Sequence, residues 1–214
     1  MDNNLPLRER KKYQTMLSIL DEFLLSLESH HFDEIHIEDV CNRVSISKVT
    51  FFRYFTSKEE VLDYFVLQWC YQRSVEIDKG TYFGIDGIRQ VFRTAAEIPH
   101  AKKILIAIIQ YYSKLKAAPT KKELSEYERY IISQNSIEGI HIQILPLEAL
   151  FHVYLSQIEN LSESKILLFS RQLVSLFYGI PFQVHIQMLE SKTLIEAYMD
   201  SVDSLLVAIT HDIH

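Results

Sequence analysis

Glycine and proline are scarce in this chain. Its 214 residues include five of each, under half of the usual combined share of about 12%. Sheets and long loops need these residues at their turns, so the shortage favours helices joined by short connections. Apolar residues also recur at helical spacing along most of the chain. The sequence therefore predicts an all-α fold with nine or ten helices.

The composition is that of an ordinary globular protein, with 48% hydrophobic and 23% charged residues, which excludes global disorder. Two cysteines, Cys41 and Cys70, fall in apolar segments and provide no disulfide framework. The first residues lack the apolar core of a signal peptide. Residues 172–189 are uncharged but contain glycine, proline, histidine and glutamines, which disfavours a membrane span. We expect a cytoplasmic protein that does not enter a membrane.

The basic residues are concentrated in two places. The formal net charge is −6, which by itself argues against nucleic-acid binding. However, residues 43–58 contain four basic residues and no acidic one, and residues 8–12 contain four basic residues against Glu9 alone. A local concentration of this kind is what a small nucleic-acid contact face needs.

Two short helices joined by a tight turn are predicted inside this basic region. The first covers about residues 37–44, the segment Ser45–Ser47 interrupts it, and Ser47 is expected to cap the second. Ser57 followed by Glu60 fits a capping box that opens a longer helix. A long amphipathic helix precedes the pair, at about residues 7–29. This is the arrangement of a helix-turn-helix unit, whose second helix enters the DNA major groove.

The residues themselves resemble the TetR family of transcriptional repressors. The run Ser47-Lys48-Val49-Thr50-Phe51-Phe52-Arg53-Tyr54-Phe55, followed by Ser57-Lys58-Glu59, is similar to the family pattern Ser, variable, Gly, Thr, Leu or Phe, Tyr, variable, aromatic or His, Phe, then Ser-Lys-Glu. The resemblance covers residues 8–70, with the motif at about 36–55. It implies an N-terminal three-helix DNA-binding domain over 8–70. It also implies a larger helical domain over 71–214 that binds an effector and dimerises.

The resemblance assigns roles to individual residues. Positions at the start of the recognition helix contact bases and phosphates, Tyr54 and Lys58 contact phosphates, and Arg53 faces the groove or the backbone. The implied DNA-binding set is Ser47, Lys48, Val49, Thr50, Phe52, Arg53, Tyr54 and Lys58. Ile46, Phe51 and Phe55 would form the buried face. A solvated charged face and an ordinary aromatic core remain the alternative interpretation of these positions.

Five positions depart from the family pattern. His36 replaces the usual threonine cap. Cys41 replaces an alanine, and Ser45 replaces the turn glycine at a cost of roughly 1 kcal/mol for a positive φ, so we expect a less tight turn. Val49 replaces glycine on the recognition helix, which favours contact with a thymine methyl group. Phe52 replaces a tyrosine and cannot donate a hydrogen bond to a phosphate.

The C-terminal helices are expected to form the dimer interface, because apolar residues lie on two sides of the helix that begins at Glu163. The segment Gly179-Ile180-Pro181 is expected to end that helix. The predicted interface residues are Ile166, Leu173, Phe177, Tyr198, Val202 and Leu206. The alternative is that these residues form the core of a monomer.

An effector pocket is expected among the middle helices, where aromatic residues and a few polar ones could enclose a ligand. The predicted lining residues are Trp69, Phe92, Tyr111, Tyr127, Phe151, His152, Tyr154 and Tyr178. Each of them fits an ordinary core as well. Residues 130–164 contain four glutamates and no lysine or arginine, which favours a neutral or cationic small molecule.

No enzyme motif is apparent. The nine histidines and two cysteines show no metal-ligand spacing, and neither a nucleophile elbow nor a phosphate-cradling glycine loop occurs. We therefore expect no catalytic residues, metal or cofactor. The predicted function is a homodimeric, ligand-released repressor that binds a pseudo-palindromic double-stranded DNA operator. The alternatives are a helical scaffold or adaptor without specific DNA binding, and an all-α enzyme that uses the pocket.

Overall fold

The computed structural model describes residues 7–115, 123–187 and 193–211. Within these ranges the regular structure is entirely helical, which confirms the predicted all-α class. None of the described helices is both long and apolar enough to cross a membrane. The ten α-helices of these ranges are α1 (Leu7–Ser26), α2 (Ile37–Val44), α3 (Lys48–Tyr54), α4 (Lys58–Asp78), α5 (Gly84–Ala96), α6 (Ala101–Ser113), α7 (Glu126–Ile132), α8 (Leu147–Ser156), α9 (Glu163–Ile186) and α10 (Leu194–His211). Two short 3-10 helices cover Phe32–Glu34 and Glu138–His141.

The chain divides into two compact units. The first comprises residues 1–72 and 107–142, and the second comprises residues 73–106 and 143–214. The boundary predicted after residue 70 lies close to the first of these divisions, but the segment 107–142 belongs with the N-terminal helices. Within the first unit, the Tyr111 hydroxyl donates to the Asp63 carboxylate at 2.7 Å, and the Tyr71 hydroxyl donates to the Gly139 carbonyl at 2.5 Å. These hydrogen bonds hold residues of the segment against α4.

An apolar stripe of α1 and an aromatic cluster form the core of the first unit. Tyr13, Met16, Ile19, Leu20 and Phe23 are buried along one face of α1. Phe55 packs between Phe51 and Tyr64, with ring centroids 5.9 and 5.5 Å away. Phe51 and Phe55 have no exposed surface, so α3 is fixed to the rest of the unit through its buried face.

The turn between α2 and α3 is tight although it contains no glycine. Ser45 adopts the left-handed conformation, with φ 58° and ψ 43°. Its N–H donates to the Asn42 carbonyl at 3.2 Å, and the Ile46 N–H donates to the Cys41 carbonyl at 2.9 Å. These bonds satisfy carbonyls at the end of α2 and offset the steric cost of a side chain at positive φ.

Serine caps begin α3 and α4 as the sequence predicts. The Ser47 Oγ accepts a hydrogen bond from the Thr50 N–H at 3.1 Å, which confirms the expected N-cap of α3. The Ser57 Oγ accepts from the Glu60 N–H at 3.3 Å. In a capping box the Glu60 carboxylate would accept a hydrogen bond from the Ser57 N–H. Here it accepts from the Thr56 N–H, one residue earlier. His36 precedes α2 without a side-chain cap.

Four aromatic rings form the centre of the second unit, where α5, α8, α9 and α10 meet. The Phe92 centroid lies 5.3 Å from Phe151, 5.7 Å from Phe177 and 5.0 Å from Tyr198. At the rim, the Arg89 guanidinium donates to Asp203 at 2.8 Å and links α5 to α10.

Helix α9 continues through Pro181, contrary to the break predicted at Gly179–Pro181. Proline has no N–H, so the Phe177 carbonyl four residues earlier loses its helical donor. The Tyr198 hydroxyl of α10 donates to this carbonyl at 2.6 Å. Burial raises the pKa of Tyr198 well above its ordinary value, so the hydroxyl remains a proton donor. A side chain from another helix therefore replaces the missing backbone bond.

We expect Tyr198→Phe to destabilise the protein by about 1–3 kcal/mol, because it leaves the buried Phe177 carbonyl without this donor. Urea denaturation followed by circular dichroism measures the change. In a Pro181→Ala background the backbone N–H that alanine restores at this position can donate to the same carbonyl, so Tyr198→Phe should cost clearly less. Equal costs in the two backgrounds would contradict this account.

Candidate nucleic-acid interface

Helix α3 presents an exposed face that contains most of the predicted DNA-binding residues. Val49 and Phe52 are exposed at 72% and 51% although both are large and apolar. Lys48 and Arg53 are also exposed, while Thr50 and Tyr54 are half-buried. The seven residues of α3 span only about 10 Å. The structure thus brings basic, apolar and hydroxyl side chains together on one short helix.

The hydroxyls at the start of α3 are held by local hydrogen bonds. The Ser47 Oγ lies 2.9 Å from the Thr50 Oγ1, and it also accepts from the Thr50 N–H. Each hydroxyl retains capacity for a further hydrogen bond. The cap therefore orients both side chains at the N-terminal end of the helix.

Two of the basic residues of region 43–58 form ion pairs with acidic residues. The Lys48 ammonium lies 2.7 Å from Glu38, and this hydrogen bond lowers the pKa of the Glu38 carboxyl. The Arg43 guanidinium lies 2.8 Å from Glu22, whose hydrogen bond raises the pKa of Arg43. The Lys48 pair is exposed on both sides. Exposed pairs are screened by water, so a phosphate can compete with Glu38 for Lys48.

Lys58 makes a different set of contacts from those implied by the resemblance. Its ammonium donates to three backbone carbonyls, those of Phe32 at 2.8 Å, Asp33 at 3.1 Å and Ile35 at 3.2 Å. It also lies 4.8 Å from the centroid of the Phe32 ring. An ammonium has three N–H donors, and all three are used here. A phosphate could bind Lys58 only in competition with these carbonyls, so its predicted phosphate contact stays a prediction.

A groove of mixed charge runs along one side of α3, between the starts of α2 and α4. Its volume is about 500 Å³. Its two lysines, Lys48 and Lys58, are matched by two glutamates, Glu38 and Glu59. The lining residues are Ile35, His36, Ile37, Glu38, Lys48, Phe52, Thr56, Ser57, Lys58 and Glu59.

A strongly basic groove lies on the other side, between the first two turns of α1 and the end of α3. Its volume is about 720 Å³. The lining residues are Leu7, Arg8, Glu9, Lys11, Lys12, Thr15, Arg53 and Tyr54. The predicted DNA-binding set contains only Arg53 and Tyr54 of these. Arg8, Lys11, Lys12 and Thr15 could have been found from their spacing in the sequence, because residues three and four apart lie on one face of a helix.

The predicted dimer-interface residues are buried within the single chain, and their role at an interface stays a prediction. Ile166, Leu173, Phe177, Tyr198, Val202 and Leu206 are each at most 5% exposed, so they have almost no surface to offer a second chain. The apolar side chains that α9 and α10 expose are different ones. These are Leu167, Leu168, Phe182, Ile186 and Val207.

The predicted pocket residues are divided between the two units. Trp69, Tyr111 and Tyr127 belong to the first unit, and the other five belong to the second. Phe92, Phe151 and Tyr154 have no exposed surface, whereas a side chain beside a water-sized cavity would retain some. These three are therefore buried in this conformation, and their role as pocket lining stays a prediction. His152 lies near the surface, with its Nε2 atom 3.1 Å from the Glu163 carboxylate, and Tyr178 packs edge-on against Phe177.

No group of three His, Cys, Asp or Glu side chains suited to a metal ion occurs among the described residues. Comparison with known proteins finds no matching family model, no matching curated protein and no matching solved structure.

We expect Lys58→Met to destabilise the protein by about 1–3 kcal/mol, because it removes a charged donor from three carbonyls while it keeps most of the apolar stem. Lys48→Met is the matched control: its ammonium contacts only an exposed carboxylate among the described residues, so it should change stability little. Thermal and urea unfolding measure both variants. Equal effects of the two substitutions would show that the carbonyl contacts of Lys58 do not stabilise the fold.

Proposed function

We propose that this chain is a DNA-binding transcriptional regulator that inserts α3 into the major groove. The observation that carries the proposal is the exposed face of α3, where Lys48, Val49, Phe52 and Arg53 project from a helix fixed on its other side by Phe51. Val49 and Phe52 are exposed one helical turn apart, between Lys48 and Arg53. They suit a DNA groove, which offers both methyl groups and phosphates.

The two ends of α3 have different roles in this proposal. Ser47, Val49 and Thr50 lie near the N-terminal end, which reaches base edges in a helix-turn-helix complex. The Thr50 hydroxyl can hydrogen-bond a base, and the Val49 methyls can contact a thymine methyl. Arg53 and Tyr54 at the other end contact phosphates, which positions the helix without reading sequence.

A helical scaffold without specific DNA binding is the second candidate function. The observations that favour it are the engaged ammonium of Lys58, the two glutamates opposite Lys48 and Lys58, and the lack of a hydroxyl on Phe52. The two functions differ in the salt dependence of DNA affinity, because a chain that binds DNA releases counterions from the phosphates and a scaffold that binds no DNA does not.

A homodimer is proposed to present two copies of α3 to successive major grooves, about 34 Å apart. The exposed face of α9 supports this arrangement. Leu168, Gly179, Phe182 and Ile186 follow one another at helical spacing on that face, over roughly 27 Å of helix. Gly179 has open space beside it, so a second helix can approach closely there.

An effector is proposed to bind in the second unit and to weaken DNA binding through a coupling free energy between the two sites. Two buried hydroxyls support a polar ligand in this unit. The Tyr154 hydroxyl and the Ser170 Oγ are fully buried and have no hydrogen-bond partner among the described residues. A buried group in that state is costly, and a neutral or cationic ligand with a donor group would satisfy either oxygen after a local rearrangement.

We expect Thr50→Ala and Val49→Ala to relax the preference at one or two base positions, at a cost of about 1–3 kcal/mol on the best DNA site. Selection from a random duplex library by the wild type defines that site, and the same selection with each variant measures the change. Phe83→Ala is the control, since Phe83 is exposed and apolar but belongs to the second unit.

If both α3 variants select the same DNA sequences as the wild type, the bases are contacted by Lys48 and Arg53 instead. A wild type that selects no sequence and binds DNA without salt dependence would instead support the scaffold function.

We expect Leu168→Glu and Phe182→Asp to convert the dimer to monomers that keep their helical content, because both side chains are exposed on α9. Specific DNA binding should be lost with the dimer. Analytical ultracentrifugation measures the oligomeric state. Leu25→Glu is the matched control, since Leu25 of α1 is as exposed as Leu168, at 52%.

Charges at the buried Phe177 or Leu206 should unfold the second unit instead of only separating two chains. A dimer that persists in both α9 variants would exclude this face as the interface.

A further inference from the structure

We propose that the basic groove between α1 and α3 binds the phosphate backbone of the DNA and supplies most of its salt-dependent affinity. This inference rests on the proposed function and assigns a second contact surface beyond the recognition helix. It adds Arg8, Lys11 and Lys12, which lie outside the set implied by the resemblance, to Arg53 as the main phosphate-binding residues.

The geometry of α1 gathers its cations on one side. Arg8, Lys11, Lys12 and Thr15 lie within an arc of about 100° at 3.6 residues per turn, and all four line the groove. Arg10 is not among the residues that line it. Tyr13 and Met16 of α1 are buried beside this arc, so the basic side of the helix has a fixed direction.

The charge of this groove differs from that of the groove across α3. Arg8, Lys11, Lys12 and Arg53 oppose Glu9 alone, so four positive charges and one negative charge leave an excess of three. The other groove has two lysines and two glutamates and no excess. A polyanion is therefore attracted to the α1 side of the recognition helix.

The cations of the groove are available for a ligand. None of the four makes an ion pair with another residue of the described ranges, whereas Arg43, Lys48 and Lys114 each do. Arg53 and Tyr54 belong both to the groove and to α3. A DNA strand next to the end of α3 would therefore enter the groove directly, and a volume of about 720 Å³ accommodates a stretch of backbone.

The test compares two double variants that each remove two positive charges. Lys11→Gln/Lys12→Gln changes the groove. Arg10→Gln/Lys102→Gln is the matched control, since Arg10 lies on α1 outside the groove and Lys102 is exposed on α6. Fluorescence anisotropy measures the affinity of the full chain for the library-selected duplex and for a non-specific duplex of equal length, at low and at high salt. Thermal melting verifies that both variants are folded.

The groove variant should lower the slope of log affinity against log salt by about 1.8, since each neutralised phosphate contributes about 0.9. At about 0.15 M salt this corresponds to roughly 30-fold weaker binding of both duplexes. The sequence selected from the library should stay the same, because phosphate contacts do not read bases. The control variant should change the slope little.

Equal loss in the two double variants, or no loss in the groove variant, would overturn the groove as the phosphate site. A wild type that selects no sequence would contradict the proposed regulatory function. In that case the non-specific duplex still decides the inference, because a loss confined to the groove variant supports phosphate binding there and an equal loss refutes it.

Discussion

Hydrogen bonds from distant side chains to backbone carbonyls join separate elements in both units. In the first unit, the carbonyls of Phe32, Asp33 and Ile35, just before α2, accept from the Lys58 ammonium, and the Phe32 carbonyl also accepts from the Ile35 N–H. In the second unit, the carbonyl freed by Pro181 accepts from Tyr198. Unsatisfied buried carbonyls are costly, so each donor joins two elements that would otherwise be separate. The start of α4 and the middle of α9 owe their positions to these long-range bonds.

Contacts within the chain also decide which basic side chains of the proposed interface are available to DNA. Lys58, at the start of α4, uses its hydrogen bonds to support the fold, and Lys48 is matched by Glu38. The cations of the α1 groove have no such partners among the described residues. In the proposed interface, base contacts and phosphate contacts therefore come from different elements. The N-terminal end of α3 offers the groups that contact bases, and α1 with the end of α3 offers positive charge for the phosphates. Substitutions in the α1 groove would then change DNA affinity, and substitutions at the N-terminal end of α3 would change sequence preference.

Helical periodicity explains why part of the site was predictable from the sequence and part was not. The spacing of Phe51 and Phe55 correctly placed the buried face of α3, and Ser47 correctly marked its start. The same reasoning did not decide which side of α9 is buried within the chain, because this helix is apolar on two sides. Periodicity identified both stripes but could not say which one meets the chain's own core. The structure buries Leu173 and Phe177 and exposes Leu168 and Phe182.

Sequence alone determined the helical class and the serine caps, because these features depend on hydrogen bonds between residues a few positions apart. Tertiary structure decided the rest. Helix α9 continues through Pro181 because the Tyr198 hydroxyl replaces the missing donor, and Tyr198 lies 21 residues after the Phe177 carbonyl. Lys58 donates to carbonyls that lie 23 to 26 residues before it. No local pattern specifies such partners, since packing of distant elements brings them within hydrogen-bond reach.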